Sequence, residues 1–180
     1  MKQYDSILII GSGGREHSLG WKLSKDTGKK VYFAPGNAGT ENNINIDSSD
    51  LLNLFEFAKK KNAFTIVGPE KPLSLGIVDM FEEGHMSIFG PTRSASRLES
   101  SKVFAKLFMR NIGIPTSPFS VFSDPASAIK HVESYPKNVV IKVDGLASGK
   151  GVFVCDDVKT ARDALQKIFI DGEFSKSGKR

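Results

Sequence analysis

Several features that mark other protein classes are scarce or absent in this sequence of 180 residues. Cys155 is the single cysteine, which excludes an intrachain disulfide and favours a reducing compartment, the cytoplasm. No apolar run approaches the length of a membrane-spanning helix, and the N-terminus has no signal-peptide core. No group of His, Cys, Asp and Glu residues has the spacing of a metal site. We therefore expect a cytoplasmic protein without membrane contacts and without metal ligands among these residues.

Charge of one sign is not concentrated either. The chain has 25 Lys and Arg against 20 Asp and Glu, which gives a net charge of +5. Because the basic residues are scattered, apart from residues 59–61 and the C-terminus, the sequence has no nucleic-acid footprint. A hydrophobic fraction of 39% predicts a globular protein with enough apolar material for a core. A mildly basic balance is also compatible with an enzyme that handles phosphorylated small molecules.

The first two thirds of the chain alternate between strand and helix patterns, which predicts right-handed βαβ units and an open parallel sheet of the α/β class. Strands are expected at residues 6–10, 31–34, 64–67 and 87–89. A first helix, with His17 in its first turn, is expected to end near residue 28, and further helices are expected at 50–61, 75–83 and 94–111. The residues expected to face inward on the first and last of these helices are Leu19, Trp21, Leu23, Ala95, Leu98, Phe104, Leu107 and Phe108. Gly113 is expected to cap the last helix.

The pattern changes after a proline-containing connector at residues 114–118. A strand at 119–122, a helix opening at Asp124-Pro125, hairpin strands at 139–143 and 152–155, and a helix at 158–169 follow. We therefore expect two domains, residues 1–117 and 118–180. The second is a small α+β unit of roughly 60 residues, below the size that a core alone comfortably supports, and it resembles part of a larger domain. The polar residues from 171 onward have no periodicity.

The hairpin at 139–155 contains three glycines and two lysines, Lys142 and Lys150. Glycine lets backbone N–H groups approach a ligand and lysine supplies positive charge, a combination that suits a nucleotide triphosphate. The segment is not a Walker A loop, because only three residues separate Gly145 from Gly149 and Gly151 follows the lysine. We interpret it as a flap that folds over a nucleotide. The alternative is a mobile surface hairpin with solvated lysines.

Loops of Gly, Pro and polar residues follow the predicted strands at 11–15, 37–40 and 70–73. Ligands of open α/β sheets bind at the carboxyl ends of the strands, so these loops should surround one crevice. A glycine-rich turn before a helix favours an anion, and Arg15 could bind a phosphate bidentately. A dinucleotide site is disfavoured, because Glu16 stands where the fingerprint needs a small residue and Pro35-Gly36 replaces its acidic residue. The alternative is a tight strand–helix turn with a solvated arginine.

The remaining reactive side chains have simpler interpretations. His17, in the first turn of a helix, is expected to pack or form hydrogen bonds, because no carboxylate has the spacing of a catalytic partner. His85 and His131 are expected on the surface, and Cys155 is expected to be a small buried hydrophobe. Lys102 lies on an ordinary amphipathic helix, where a lysine is usually solvated.

Six segments together resemble the phosphoribosylamine–glycine ligase family, also called glycinamide ribonucleotide synthetase, an ATP-grasp family of purine biosynthesis. They are residues 11–17, 35–40, 67–73, 89–91, 98–102 and 142–152, and they stand in the family's order. Two departures are mild, since Val143 and Ser148 replace alanines and neither change removes a charge. The resemblance implies a Rossmann-like, pre-ATP-grasp N-terminal domain followed by an incomplete ATP-grasp flap subdomain.

The resemblance also implies a reaction in two steps. The glycine carboxylate takes the γ-phosphoryl group of ATP, and the amine of 5-phosphoribosylamine then attacks the glycyl phosphate. The products are glycinamide ribonucleotide, ADP and phosphate. Such phosphoryl transfer needs positioning and charge neutralisation more than a side-chain nucleophile, so no residue of this chain is expected to be catalytic in that sense.

Binding residues follow from the same resemblance. ATP would be bound by Lys102, Lys142, Asp144, Gly145, Leu146, Ala147, Ser148, Gly149, Lys150, Gly151 and Val152. The phosphoribosylamine would be bound by Gly11, Gly13, Gly14, Arg15, Glu16, Asn37, Gly39, Thr40, Glu70, Pro72 and Leu73. Mg²⁺ or Mn²⁺ would be held by acidic ligands beyond residue 180.

The polypeptides of the family that this sequence resembles continue well beyond the position of Arg180. We therefore expect the 180 residues alone to be inactive and to bind ATP weakly, because no pair of their carboxylates is spaced to hold Mg²⁺. The alternative is a complete, non-catalytic α/β module that binds a nucleotide or a phosphosugar. The expected partners are small molecules, namely ATP, glycine and 5-phosphoribosylamine, without nucleic acid, and protein partners stay open.

Overall fold

The structure is a computed structural model, and it describes residues 3–135, 138–147, 150–171 and 174. By its internal contacts the chain divides into two compact units, Met1–Arg97 and Leu98–Arg180. In the described ranges, no helix combines the length and the apolar character needed to cross a membrane.

The first unit is built on a four-stranded parallel sheet with the strand order β2-β1-β3-β4. Its strands are β1 (Ser6–Gly11), β2 (Lys30–Pro35), β3 (Ala63–Val67) and β4 (Ile88–Phe89). All six residues of β1 are buried, as expected for a β-branched strand between two neighbours with both faces covered. The predicted parallel sheet is confirmed.

Five helices accompany this sheet: α1 (Gly14–Thr27), α2 (Leu51–Lys60), α3 (Glu70–Leu75), α4 (Ile77–Glu83) and α5 (Arg93–Ser100). Leu8 and Ile10 face a core that includes Leu54 of α2 and Phe81 of α4. The alternate β1 residues Ile7 and Ile9 belong to a second cluster with Val31 and Phe33 of β2. Burial on both faces fixes β1 at the centre of the unit, so its carboxyl end is the natural position for a ligand site.

The structure differs from two of the predicted helices. The helix predicted at 75–83 is preceded by α3, and Gly76 separates the two helices with a left-handed φ of 95°. The helix predicted at 94–111 is interrupted at Ser101, which is extended at φ −134° and whose hydroxyl accepts a hydrogen bond from Phe104 N. The interruption at Ser101 places the N-terminus of α6 at Lys102, a predicted ATP-binding residue, which a continuous helix would not provide.

The prediction that Leu19 and Trp21 face inward is wrong, because 39% and 61% of their surfaces are exposed. Helix α1 instead approaches the sheet through Gly20. A Cβ on Gly20 would lie 2.1 Å from Phe33 Cζ, so this position has room only for hydrogen. Leu23 does pack against the cluster of β1 and β2 residues, as predicted.

The inward positions predicted between 94 and 111 are wrong in part. Ala95 and Leu98 are exposed, and Ser96 is the buried residue of α5. Phe108 is 40% exposed, although its ring stacks on that of Phe104 at 6.1 Å. A helical period identifies an apolar stripe, but the face of the helix that becomes buried depends on which elements pack against it.

The second unit has the helices α6 (Lys102–Asn111), α7 (Pro125–Ser134) and α8 (Val158–Phe169), and the antiparallel hairpin β5 (Val139–Lys142) and β6 (Val152–Cys155). The hairpin and α8 confirm their predictions, and Gly113 follows α6 in the predicted left-handed conformation, at φ 74°. Cys155 is buried with Ala128 and Leu165 in the core, as predicted, and burial raises the pKa of its thiol. The polar tail expected from residue 171 lies outside the described residues, except for 171 and 174.

The strand predicted at 119–122 is wrong. Phe119 lies beside two cations of α6, with Lys106 Nζ at 5.8 Å and the guanidinium of Arg110 at 5.4 Å from its ring. The ring of Phe122 lies 5.0 Å from that of His131. These aromatic contacts hold the segment without strand pairing. They also make His131 half-buried, which corrects its expected surface position, whereas His85 is exposed as predicted.

The division by contacts falls between residues 97 and 98, on the N-terminal side of the boundary expected near residue 117. Two groups of hydrogen bonds explain why α6 belongs to the second unit. The carboxylate of Asp144 accepts from Val103 N at 3.2 Å, and Lys106 Nζ donates to Ser117 Oγ at 2.8 Å. The expected division into domains 1–117 and 118–180 stays a prediction.

Candidate functional site

Hydrogen bonds hold the strand-end loops around the carboxyl end of β1. Gly36 N donates to Gly11 O at 3.1 Å, and Gly68 N donates to Ile10 O at 3.0 Å. Asn37 Nδ2 adds a bond to the carbonyl of Ser12 at 2.9 Å. The structure therefore brings together the loops after β1, β2 and β3, as the parallel topology predicts.

Glu16 lies within these loops and is only 5% exposed. One of its carboxylate oxygens, Oε2, accepts from Gly13 N at 2.7 Å, and the other, Oε1, accepts from Arg15 Nε at 2.9 Å. The predicted substrate residue Gly11, which follows Ile10 on β1, is buried beside it. Glu16 therefore points into the protein, with both oxygens engaged.

Arg15 is the cation of this crevice. Its Nε donates to Glu16 and its Nη2 donates to the carbonyl oxygen of Gly68, while 61% of its side chain stays exposed. The hydrogen bond to Glu16 and the charge of that residue raise the pKa of Arg15, and the charge of Glu70 adds to the effect. A guanidinium has five N–H donors, so donors remain for an anion.

The loop after β2 is organised by its own polar side chains. Asn37 Oδ1 accepts from Gly39 N at 2.8 Å, and Thr40 Oγ1 accepts from Asn37 N at 2.8 Å. A Cβ on Gly39 would lie 2.9 Å from Cε1 of His17, so glycine is needed for this close approach. His17 is half-buried against the loop, in agreement with a packing residue.

The remaining predicted substrate residues differ in their positions. Gly14 and Glu70 are exposed at the first residues of α1 and α3. Pro72 and Leu73, by contrast, are buried, with Leu73 in the core beneath α3. The side chains of Pro72 and Leu73 therefore contribute to packing, whereas Glu70 and its neighbour Lys71 are at the surface, and the substrate-binding roles of Glu70, Pro72 and Leu73 stay predictions.

In the second unit, the base of the hairpin is bonded to the N-terminus of α6. The carboxylate of Asp144 accepts from Ser101 Oγ at 3.1 Å and from Val103 N at 3.2 Å. Lys102 Nζ donates to the carbonyl of Gly145 at 2.9 Å. Lys102 is thus half-buried at the hairpin base. The helix pattern by itself favours a solvated lysine on the helix surface.

The hairpin loop is closed by two backbone bonds, from Val143 N to Gly151 O at 2.8 Å and from Lys150 N to Ala147 O at 2.9 Å. A Cβ on Gly151 would lie 2.8 Å from that of Ala147, so glycine is needed at this position too. Leu146 is 36% exposed. The predicted phosphate-binding residues Ser148 and Gly149 lie outside the described residues.

The two hairpin lysines, Lys142 and Lys150, are exposed. Lys142 pairs across the hairpin with Val152, which is 44% exposed. Both residues lie on the face of β5 and β6 opposite the core residue Cys155. The described part of the chain therefore presents two cationic side chains at the hairpin that could approach polyphosphate oxygens.

Metal binding has no comparable basis in the described residues. In the ranges 3–135, 138–147, 150–171 and 174, no group of three or more His, Cys, Asp and Glu residues could hold a metal ion. The residues present therefore do not fit Mg²⁺ or Mn²⁺, and no step is assigned to either ion.

Sequence reasoning missed two residues of these sites. Ser101 caps α6 and binds Asp144, and its signal was available as a serine directly before an apolar helical stretch. Gly68 receives the Arg15 guanidinium on its carbonyl oxygen, and no sequence pattern indicates that contact.

Comparison with protein-family models gives two matches, in chain order. Residues 5–99 match the model described as phosphoribosylglycinamide synthetase, N domain. Residues 100–180 match the model described as phosphoribosylglycinamide synthetase, ATP-grasp (A) domain. The two matches meet at residues 99 and 100, close to the division between the two compact units.

Individual relatives agree with these matches. Phosphoribosylamine–glycine ligase of Vibrio parahaemolyticus is 44% identical over 181 residues, which cover 97% of this chain and 42% of the relative. The crystal structure of phosphoribosylamine–glycine ligase from Thermotoga maritima has a TM-score of 0.73 at 34% identity, over 93% of this chain and 40% of that chain. The chain thus spans about two fifths of the length of these relatives.

A more distant structure has the same fold. N5-carboxyaminoimidazole ribonucleotide synthetase from Thermotoga maritima has a TM-score of 0.63 at 18% identity, over 88% of this chain and 43% of that chain. At this identity the likeness concerns the arrangement of strands and helices alone.

Proposed function

Because the chain belongs to the phosphoribosylglycinamide synthetase family, we propose that it is the substrate-binding and flap-bearing part of an ATP-dependent carbon–nitrogen ligase. The complete reaction joins glycine to 5-phosphoribosylamine, through a glycyl phosphate, and gives glycinamide ribonucleotide, ADP and phosphate in purine biosynthesis. The observation that supports this most strongly is the consecutive match of both family models over residues 5–180. A cytoplasmic location is part of the proposal.

The strand-end crevice of the first unit would hold the phosphoribosylamine. Arg15 offers a guanidinium with unused N–H donors, and the first turn of α1, which begins at Gly14, has N–H groups that the helix itself does not use. Both features favour an anionic group such as the 5′-phosphate. Glu70, exposed at the start of α3, could accept hydrogen bonds from ribose hydroxyls.

The hairpin of the second unit would cover the phosphates of ATP. Lys142 and Lys150 are exposed and free to move toward phosphate oxygens. Lys102 donates one N–H to the carbonyl of Gly145, and an ammonium group has two more that a phosphate oxygen could accept. Asp144 holds the base of the hairpin to α6 and would keep Lys102 near the nucleotide.

In this proposal the chain's residues act by positioning and charge neutralisation. ATP supplies the γ-phosphoryl group that activates the glycine carboxylate, and the lysines stabilise the phosphate oxygens as charge develops. The other partners are small molecules, glycine and 5-phosphoribosylamine. Catalysis by the 180 residues alone is not proposed.

Calorimetric titration of the chain with glycinamide ribonucleotide tests the crevice. Arg15→Ala should weaken binding by about 1.5–3 kcal/mol, the scale of a hydrogen bond to a charged group. Lys25→Ala is the matched control, because it removes the same charge from the last turn of the same helix. Equal affinities of the wild-type and Arg15→Ala chains would refute the assignment of the phosphate to Arg15.

A further inference from the structure

We propose that Glu16 is a positioning residue, which fixes the orientation of the Arg15 guanidinium and does not touch the substrate. The inference rests on the proposed function for the identity of the ligand. Glu16 is 5% exposed in a site whose cation, Arg15, has 61% of its side chain exposed. A ligand in the crevice would therefore meet the arginine and not the carboxylate behind it.

The glycines of two loops leave the space that the Glu16 side chain occupies. A Cβ on Gly11 would lie 2.7 Å from Glu16 Cγ, and one on Gly13 would lie 2.7 Å from Oε2. A Cβ on Gly68 would lie 2.1 Å from Oε1. Since Cβ atoms are not found at such distances, these three positions must be small to admit Glu16. Some of the glycines at this turn are thus needed to make room for the Glu16 side chain and not for the approach of a phosphate.

The two oxygens of Glu16 have different donors. Gly13 N, at the start of α1, donates to Oε2 at 2.7 Å, and Arg15 Nε donates to Oε1 at 2.9 Å. Arg15 Nη2 donates to the carbonyl of Gly68. Because a guanidinium is planar, two fixed N–H groups define the direction of the others. Arg15 therefore joins the loops after β1 and β3 through its bond to Gly68, and Glu16 fixes the plane in which the guanidinium can receive an anion.

Two substitutions separate this role from simple packing. Glu16→Gln keeps the volume of the side chain, but its single oxygen can accept from Gly13 N or from Arg15 Nε and not from both. Glu16→Ala removes both acceptors. Gly68→Ala adds a methyl group where Oε1 lies, so it should destabilise the wild-type chain and be relieved when Glu16 is also replaced by alanine.

The first measurement is water exchange of the Arg15 Nε–H group in ¹⁵N spectra, with the signal assigned by its loss in Arg15→Lys. In Glu16→Ala this exchange should become about tenfold faster or more, the effect of losing one charge-assisted hydrogen bond. In Glu16→Gln, either Arg15 Nε–H or the Gly13 amide should lose its protection. Wild-type protection of Arg15 Nε–H in Glu16→Ala, or of both groups in Glu16→Gln, would overturn the proposal.

The second measurement is a double-mutant cycle on the affinity for glycinamide ribonucleotide. Glu16→Gln should weaken binding by about tenfold in the wild-type chain and by less than about twofold in the Arg15→Ala chain, because it acts through Arg15. An equal loss in both backgrounds would indicate a structural effect and contradict the proposal. If the wild-type chain does not bind this ligand, the proposed function fails, and the exchange experiment still decides the role of Glu16.

Discussion

Asp144 should stabilise the N-terminus of α6, although it lies more than forty residues later in the sequence. Its carboxylate accepts from Val103 N at 3.2 Å and from Ser101 Oγ at 3.1 Å. A side-chain acceptor at a helix N-terminus contributes about 1 kcal/mol, and a negative charge there adds about 0.3–1 kcal/mol. With the hydroxyl bond included, Asp144→Ala should cost about 2 kcal/mol. The value is not larger because Asp144 is half-buried and Ser101 keeps its own cap bond from Phe104 N.

Amide hydrogen exchange measures this effect locally, which is preferable for a chain of two units. Exchange at Val103 and Phe104 should accelerate by about thirtyfold in Asp144→Ala, equivalent to about 2 kcal/mol. Asp144→Asn should have about half the effect on the free energy, since it keeps an acceptor and loses the charge. Asp163→Ala, at an exposed residue of α8, is the control and should leave both amides unchanged.

The result that would refute the reasoning is a change of less than about threefold at Val103 and Phe104 in Asp144→Ala. An equal acceleration at Ala164 and Leu165 of α8 would also refute it, because the loss would then be global. Either outcome would mean that the hairpin base and α6 are not joined through Asp144.

Three further predictions concern packing, the thiol and acid stability. Gly20→Ala should destabilise the chain by about 1–3 kcal/mol in urea unfolding, because the added methyl group meets the ring of Phe33 on β2, although alanine has the better helix propensity. Gly14→Ala is the control and should not destabilise the chain, because its methyl group meets open space. Cys155 should react with a thiol reagent only as fast as its surroundings open, because burial excludes the reagent and raises the pKa of the thiol; rapid labelling of the native chain would contradict this. The bond from Thr160 N lowers the pKa of Asp157 below its ordinary value of 3.8, so the cap should stabilise α8 above that value and be lost as the pH falls through the folded-state pKa. As acid is added, the helix signal in circular dichroism should therefore begin to fall at a higher pH in the wild-type chain than in Asp157→Asn, whose cap does not titrate. Identical acid profiles of the two chains would contradict the cap.

The architecture could be predicted where local pattern and tertiary contacts agree. The alternation of apolar strands and amphipathic helices predicts the parallel sheet, and the flanking turn residues predict the hairpin and α8. The inward face of α1 could be predicted only at Leu23, because Gly20 and the buried Glu16 form the rest of its contact with the sheet and loops while Trp21 is exposed. The 119–122 segment has strand-like residues, but its phenylalanines pack on cations and a histidine.

The candidate site could also be predicted only in part from the sequence. The parallel topology predicts that the loops after β1, β2 and β3 meet, and the structure brings them together. The positions of individual side chains depend on contacts between distant residues, such as Arg15 with Gly68 and Ser101 with Asp144. No spacing rule links such pairs, so a single sequence does not reveal that Glu16 points inward.

The measurement that tests the central claim most directly is mapping of ligand-induced shifts in amide NMR spectra of the 180-residue chain. Glycinamide ribonucleotide should shift amides of residues 11–15, 37–40 and 68–70, and a non-hydrolysable ATP analogue should shift those of residues 102, 142–147 and 150–152. Shifts by the ribonucleotide that avoid the strand-end loops, or by the ATP analogue that avoid the hairpin, would contradict the account.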